Sequence, residues 1–482
     1  MKDNIRYLVI NCLLLVWAAA SAKAQAPADS GKVFSLQHLQ QYVLYHHPVV
    51  KQAALLSDAA RARVFQSLGK FDPKLEASFS KKEFGNKDYY NNWGNELKVP
   101  LWLAGADLKV TYDRNTGDYT NPQYSTIDDG LSGVGLTIPI GQGLIIDERR
   151  NTLRQARIMV RYAEAEQIKQ IITVWYDAVT QYWNWYYAYS QYILLKDGVK
   201  LAQTRYEAVS RQAVLGDKAA IDSVEAHITV QDREIQLAKY EVELNNAQLL
   251  LSNYLWSDDE KPLELPANAV PETVDENELL PQKVMIDTLV NYAADQHPEL
   301  LKLRTKGEQL NLENLYMREL LKPRLNISGM LITSRNTFAD YYPKYYDVNW
   351  RNYKIGLDFS LPLFLRSERG KLKEVRIKQK DNEYEQQQTA REIENKILAS
   401  YNALTAYKQQ LGIQTASILN QQALLNAEQQ KFELGESTLF LINSRETKLI
   451  DMKMKKAEMI TSYQKKMAEL YYKAGTRQNA GQ

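Results

Sequence analysis

The sequence predicts a mainly α-helical chain with some β structure, built from two copies of one helix–strand–helix unit. Three observations lead to this class. Four sequence landmarks recur in the same order in both halves of the 482 residues, which indicates an internal duplication. Two long stretches without proline can form helices of ~100 Å, and the segments between helical stretches alternate apolar and polar residues as strands do.

The first 24 residues are predicted to be a secretory signal peptide. Lys2 and Arg6 precede an apolar run over residues 8–20, and residues 22–24 supply a small-x-small cleavage pattern. The single cysteine, Cys12, lies in this run, so the mature chain is expected to lack disulfides and thiolate chemistry. The chain is therefore expected to be exported.

Charge and hydropathy argue against two classes of function. The 60 Lys and Arg residues nearly balance the 58 Asp and Glu residues, so no nucleic acid partner is predicted. The mean hydropathy of −0.46 argues against a bundle of membrane-spanning helices, each of which needs ~20 consecutive apolar residues.

The duplication is seen in landmarks that pair at similar offsets. The offset is 250 residues at the first two landmarks and 223 at the third, so the first half carries about 27 extra residues. The pairs are His47-Pro48 with His297-Pro298, Pro73 with Pro323, Pro139 with Pro362, and Leu215-Gly216-Asp217 with Leu434-Gly435-Glu436. The first repeat is predicted at 25–256 with β segments at 74–140, and the second at 287–475 with β segments at 324–363. A linker at 257–286 separates them, and 476–482 form a tail.

Long helical hairpins are predicted in each repeat. Proline is absent between Pro139 and Pro262 and again after Pro362. Gly216 and Gly435 interrupt these stretches beside turn-prone residues, so each stretch is expected to fold back on itself. Each long helix would then be matched by two shorter helices stacked end to end. The predicted helical ranges are 35–70, 145–215, 218–256, 287–321, 366–434 and 438–474.

One helical stretch carries an unbroken seven-residue repeat, which predicts a coiled-coil seam. Its apolar members are Ile397, Leu404, Leu411, Ile418, Leu425, Phe432 and Leu439. The companion positions are mostly polar, namely Ser400, Tyr407, Gln414, Gln421 and Glu428. So narrow a stripe suits a helix with water on both its inner and its outer side, and a plain solvated coiled coil is the alternative.

The β segments favour a membrane-spanning barrel over a soluble sandwich. Apolar residues alternate with polar or small ones in both halves, and aromatic clusters flank the alternating segments. The aromatic residues are Tyr89, Tyr90, Trp93, Tyr341, Tyr342, Tyr345, Tyr346, Trp350 and Tyr353. An open sheet edge cannot face lipid, so a few strands per chain must close a barrel with other copies. Oligomerisation is therefore required.

This order of motifs resembles the TolC-like outer membrane efflux protein family over essentially the whole mature chain. The motifs are Leu36-x-x-Leu39 with His46-His47-Pro48, the strand starts Pro73-x-Leu75 and Pro323-x-Leu325, the strand ends Pro139 and Pro362, and the tips at Gly216 and Gly435. The resemblance implies a homotrimer with one outer-membrane β-barrel and a periplasmic α-helical tunnel, whose equatorial region lies at the linker. It also implies docking of the tips to a periplasmic adaptor and to an inner-membrane pump of RND, ABC or MFS type.

The implied function is a passive duct for drugs, toxic compounds or secreted substrates, in contact with outer-membrane lipid and without a cofactor. No catalytic triad or cofactor motif is found, so no enzyme activity is expected. His46, His47 and His297 are expected to mark helix ends and not a metal site, and Trp175, Trp183 and Trp185 are expected to pack between helices. The alternatives are a periplasmic coiled-coil adaptor and an outer-membrane porin, although a porin has no use for ~100 Å of helix.

The extra residues of the first half depart from the family pattern of two strands per repeat. Residues 95–113 have the pattern of a strand, a glycine turn and a second strand. They are expected to form an extracellular loop or an extension above the membrane. Two further barrel strands are the alternative.

Candidate docking and gating residues cluster at the two tips. The resemblance places gating acids six and nine positions after the second tip glycine, where this chain has Leu441 and Ser444. An acid does stand six positions after the first tip glycine, at Asp222. Closure is therefore expected to use Asp222, Arg445 and apolar contacts. The candidate residues are Gly216, Asp217, Asp222, Gly435, Glu436 and Arg445.

Overall fold

Helices make up most of the computed structural model, which describes residues 33–126, 128–274, 283–334 and 350–477. The predicted signal peptide, the tyrosines at 341–346 and the end of the tail lie outside the described residues. The helices are α1 (Leu36–His46), α2 (Pro48–Leu68), α3 (Glu148–Leu215), α4 (Ala220–Ser252), α5 (Lys283–Gln296), α6 (Pro298–Glu319), α7 (Arg366–Glu433) and α8 (Leu439–Lys473). The predicted helical ranges are confirmed to within a few residues, except that 35–70 and 287–321 each contain two helices.

The two halves form the same helical wall. The long helices α3 and α7 have 68 residues each, and at ~1.5 Å per residue each is ~102 Å long. At the sheet end the packing order is α2-α3-α6-α7, and at the opposite end it is α4-α3-α8-α7. α2 and α4 therefore follow one another along α3, and α6 and α8 along α7, as the sequence predicts. The shorter helices α1 and α5 also contact α3 and α7.

Proline breaks a helix at equivalent places in the two halves. His47 and His297 precede the prolines and have extended backbones, because a residue before proline is excluded from the helical region. The Nδ1 atom of each ring accepts a hydrogen bond from a backbone N–H, that of Val49 or Glu299, at 3.2 Å. These histidines are N-caps, which confirms that they mark helix ends.

The cap at His297 is expected to make stability depend on pH. Burial lowers the pKa of His297 to about 4, from 6.5 in an exposed histidine. As pH falls below 6.5, the unfolded chain takes up a proton before the folded chain does, so stability decreases until about pH 4 and by up to ~3 kcal/mol. Thermal unfolding followed by circular dichroism at pH 7 and pH 4.5 measures this loss.

Two matched variants separate this effect from other titrations. His297→Asn keeps a capping acceptor that does not titrate, so its melting temperature should change less with pH than that of the wild type. His227→Asn, which makes the same replacement at an exposed position on α4, is the matched control. An unaltered pH dependence in His297→Asn would contradict the assignment.

The seven-residue repeat of α7 forms a seam against α8. Ile397, Leu404, Leu411 and Leu425 are buried, which confirms the coiled-coil prediction. Gln414 donates its amide to the Met452 carbonyl at 2.8 Å, and Gln421 donates to the Arg445 carbonyl at 2.9 Å. These polar companions therefore face α8 and bond to its backbone. The sequence interpretation had instead placed them in water.

Aromatic side chains fill the core beside the middle of α3. The short strands β1 (Val33–Phe34) and β6 (Val270–Pro271) pair in parallel there. Tyr182 donates its hydroxyl to the Phe34 carbonyl at 3.0 Å, and burial raises its pKa. Trp175, Trp183 and Trp185 are buried in this core, which confirms that they pack between helices.

One six-stranded antiparallel sheet lies beyond the end of the helices at which α2 ends and α3 begins. Its order is β2-β3-β4-β5-β7-β8, so neighbours in the sheet follow their order in the chain. The strands are β2 (Lys74–Phe84), β3 (Lys87–Pro100), β4 (Asp107–Thr116), β5 (Leu131–Pro139), β7 (Arg324–Ser334) and β8 (Tyr353–Ser360). The first half supplies four of these strands and the second half supplies two.

The expected extracellular loop at 95–113 is wrong, because β3 and β4 are full members of the sheet. Their connection, 101–106, lies at the helical end and is held there by two contacts. Arg149, near the start of α3, donates to the Asp107 carboxylate at 2.6 Å and to the Gly105 carbonyl at 2.9 Å. Trp102 stacks on Phe71 with ring centres 4.1 Å apart. The hairpin therefore runs the full height of the sheet.

The two faces of the sheet differ in chemistry. One register row crosses all six strands with apolar side chains, namely Leu75, Leu97, Val110, Val134, Leu331 and Tyr353. An open groove of about 760 Å³ runs along this face. The opposite face carries charges that pair with one another, with Glu96 to Lys109 at 2.9 Å and Lys98 to Asp107 at 3.2 Å. Strands with one apolar and one polar face suit a boundary between lipid and water.

Candidate functional site at the helical tips

The hairpins α3–α4 and α7–α8 end in the same turn. Gly216 and Gly435 have φ of 84° and 79°, the left-handed region in which side chains are strained. The Asp217 N–H donates to the Gln212 carbonyl at 2.9 Å, and the Glu436 N–H donates to the Lys431 carbonyl at 2.8 Å. Both helices therefore end in a Schellman motif. The two repeats thus share the same backbone conformation at their tips.

The candidate acids at the tips stand in different surroundings. Asp217 and Glu436 are exposed, whereas Asp222 is half-buried in the first turn of α4. A carboxylate in this turn is favourable because it faces the positive end of the helix dipole. Basic residues stand beside these acids, and one of them, Lys218, places its Nζ 4.1 Å from the ring centre of Phe432.

Arg445 is bound within its own hairpin. Its nearest carboxylate belongs to Glu428, at 3.8 Å, and Glu428 also accepts a 2.6 Å hydrogen bond from Ser437. In the described part of the chain Asp222 and Arg445 do not form an ion pair. Their joint role in closing the tip remains a prediction that this single chain does not test.

A largely buried polar group behind the tips, in which Thr447 alone is exposed, links the two hairpins, and we call it the inter-hairpin clasp. Its members are Arg205 of α3, Thr229 and Arg233 of α4, and Asn443, Glu446 and Thr447 of α8. Arg205 contacts Glu446 at 2.5 Å and Asn443 at 3.0 Å. Asn443 donates to Thr229 at 3.1 Å, and Arg233 donates to Thr447 at 2.8 Å. Side chains from both repeats thus meet in one hydrogen-bonded group.

The sequence interpretation missed this clasp, although a signal was present. Glu446 continues the buried series Leu439, Ile442, Glu446, Leu449 on α8. Arg233 likewise continues Ala226, Val230, Arg233 on α4. A charge at a seam position is costly unless it is paired, so such positions indicate a buried partner. The identity of the partner on another helix could not be read from spacing alone.

Within the described ranges, no three or more His, Cys, Asp or Glu side chains are grouped to hold a metal ion. In the same part of the chain, no helix combines the length and the apolar character needed to cross a bilayer.

The amphipathic sheet and the long hairpins together define an outer-membrane protein with a helical extension. The family model of the outer membrane efflux protein matches residues 39–255 and 289–476. The chain belongs to the outer membrane efflux protein family.

Individual relatives agree with this membership. Outer membrane protein TolC of Salmonella enteritidis is 24% identical over 325 residues, which are 64% of this chain and 63% of that protein. Three solved structures share the fold. They are CusC (TM-score 0.66, 15% identity, 94% of this chain and 96% of that chain), the Campylobacter jejuni outer membrane channel CmeC (0.62, 16%, 95% and 92%) and the open state of the Neisseria gonorrhoeae outer membrane channel MtrE (0.64, 14%, 92% and 89%).

Proposed function

We propose that this chain forms a homotrimeric outer-membrane channel that passively conducts drugs, toxic compounds or secreted substrates out of the cell. A periplasmic adaptor and an inner-membrane pump deliver the substrate to the helical tips. The chain itself performs no chemical reaction. The observation that carries the proposal is an amphipathic sheet with two open edges, joined to a ~100 Å wall of helices. Neither a porin nor a soluble adaptor needs both parts.

An unpartnered apolar stripe on α4 supports the trimer. Its members recur every seven residues and are all more than half exposed, and they are Ile221, Ile228, Ile235, Val242 and Leu249. We call this set the α4 stripe. The opposite face of α4, with Val230 and Leu244, is buried against its own hairpin. A seven-residue apolar repeat on the exposed side of a helix is a surface that can pack against another helix as a coiled coil.

The other edge of the wall offers the complementary surface. The tip-end order α4-α3-α8-α7 leaves α4 and α7 as the outer helices of each copy. In its tip half α7 also exposes apolar side chains, among them Ile413, Leu419 and Leu424. The α4 stripe of one copy therefore faces α7 of the next, and three copies close a ring of twelve helices.

The tips are expected to be needed for export and dispensable for assembly. Replacing 212–222 and 431–441 by short Gly-Ser turns removes both Schellman turns and Asp222, and leaves the sheet, the clasp and most of the α4 stripe in place. Export, measured as efflux of a dye whose accumulation the wild-type chain lowers, should be lost. Heat-resistant trimers should still be recovered from the outer membrane.

The same preparations test the alternatives. Replacing only one tip is the matched control, and it should reduce efflux less than the double replacement. Persistent efflux after loss of both tips would contradict the docking assignment. Release of the mature wild-type chain from membranes by salt alone would contradict the channel and favour a soluble adaptor.

A further inference from the structure

The hairpin β3–β4 occupies the middle of the sheet and not its edge. β2 pairs with β3 over its whole length, β3 pairs with β4, β4 pairs with β5, and β5 then pairs with β7. β2 and β5 therefore cannot pair with each other unless the hairpin is expelled. Building on the channel proposed above, we propose that the trimer closes an eighteen-stranded barrel with six strands from each copy. A chain with two strands in each repeat would form a barrel of twelve strands.

The faces of the added strands match those of their neighbours. Leu97 of β3 and Val110 of β4 lie in the apolar row that begins at Leu75 and continues through Val134. The side chains next to them along β3 and β4, including Glu96 and Lys109, lie on the charged face. Because side chains alternate strictly along a strand, a hairpin outside the barrel would have no reason to keep this register.

The added hairpin is also anchored to the helical body. Lys98 and Arg149 both contact the Asp107 carboxylate at the helical end of β4, at 3.2 and 2.6 Å. A side chain at Gly105 would place its Cβ 2.9 Å from the Gly143 carbonyl oxygen, so the turn approaches the start of α3 closely. This turn is therefore fixed at the same height as the other strand ends.

The free edges fit one another between copies. β2 runs away from the helices and β8 runs back towards them, so β2 of one copy pairs with β8 of the next in the antiparallel sense. The outer backbone groups of these two strands have no partner in the described sheet, which lipid would not tolerate. An even strand number then alternates in direction around the whole barrel.

The larger barrel also fits the helical ring. Strands ~4.8 Å apart and tilted by ~40° give perimeters of roughly 75 Å for twelve strands and 113 Å for eighteen. Twelve helices at spacings of ~9.5 Å give roughly 114 Å. The eighteen-stranded barrel thus continues the tunnel without a step in width, and it admits cargo about one and a half times as wide as a twelve-stranded barrel does.

Cysteine labelling of the intact trimer in phosphatidylcholine vesicles tests this proposal, because the single cysteine, Cys12, lies in the predicted signal peptide. Val110→Cys should react with a lipid-soluble pyrene maleimide. Its reaction with a charged maleimide should be at least about tenfold slower than that of Tyr124→Cys, in the loop after β4. Thr111→Cys, on the opposite face of β4, should react with the charged reagent. Ile327→Cys, on the apolar face of β7, is the control in a strand that both barrel sizes contain.

The outcomes separate the two proposals. Protection of both Val110→Cys and Ile327→Cys from the charged reagent supports the eighteen-stranded barrel. Protection of Ile327→Cys alone overturns it and leaves the channel intact. Free reaction of both overturns the channel as well. Counting strands by electron cryo-microscopy of the wild-type trimer gives an independent result, with eighteen expected and twelve contradicting the proposal.

Discussion

Replacing Arg205 by alanine is expected to destabilise the tip half of the hairpins by ~3 kcal/mol or more and to raise the conductance of the channel. The change leaves the Glu446 carboxylate buried without its partner, and an uncompensated buried charge costs ~3–5 kcal/mol. Arg205 also holds Asn443, which in turn holds Thr229, so the contact between α4 and α8 is weakened as well. Single-channel conductance in planar bilayers and thermal unfolding measure the two effects.

Two further variants control this experiment. Arg211→Ala removes an exposed arginine that pairs with Glu207 at 3.7 Å, and it should change stability by less than ~1 kcal/mol. Arg205→Met combined with Glu446→Gln removes both charges, so it should recover much of the stability that Arg205→Ala loses. Equal effects of Arg205→Ala and Arg211→Ala would show that the clasp does not hold the hairpins together.

Ile235→Asp is expected to abolish the proposed trimer. Ile235 is 70% exposed in the single chain and lies at the centre of the α4 stripe, where the trimer would bury it against the neighbouring α7. Placing a carboxylate there would cost several kcal/mol at each of three identical interfaces. Native mass spectrometry or size-exclusion chromatography in detergent should show monomers in place of trimers.

The neighbouring exposed residue provides the control for position. Gln236→Asp adds the same charge on the same helix, but ~100° around its axis from the stripe. It should leave the trimer intact. Stable trimers of Ile235→Asp, or loss of trimers in both variants, would show that the stripe is not the interface.

The helical body was predictable from sequence because its determinants are local. Proline fixed where helices could not run, Gly216 and Gly435 supplied left-handed turns, and the spacing from Ile397 to Leu425 gave the seam. The β3–β4 hairpin was misplaced for the opposite reason. Alternation at Leu97 and Val99 shows that a strand is possible, but pairing with β2 and β5 depends on contacts between distant parts of the chain.

The candidate site divides in the same way. The tip turns follow from short motifs, whereas the clasp joins Arg205 to residues more than 200 positions later. Only the three-dimensional structure shows which charged side chains pair with each other. The buried seam positions of Arg233 and Glu446 mark where such an arrangement must occur, because an isolated charge would not be tolerated there.

The glutamine bonds between α7 and α8 have a mechanical consequence. Gln414 and Gln421 bond to backbone carbonyls, and equivalent carbonyls recur along the whole of α8. A small slide or rotation of one helix past the other therefore exchanges one acceptor for the next at little cost. The Arg205–Glu446 contact instead joins α3 to α8, so it fixes one hairpin against the other and does not oppose this movement. The α7–α8 hairpin can therefore adjust along its length while it stays attached to α3.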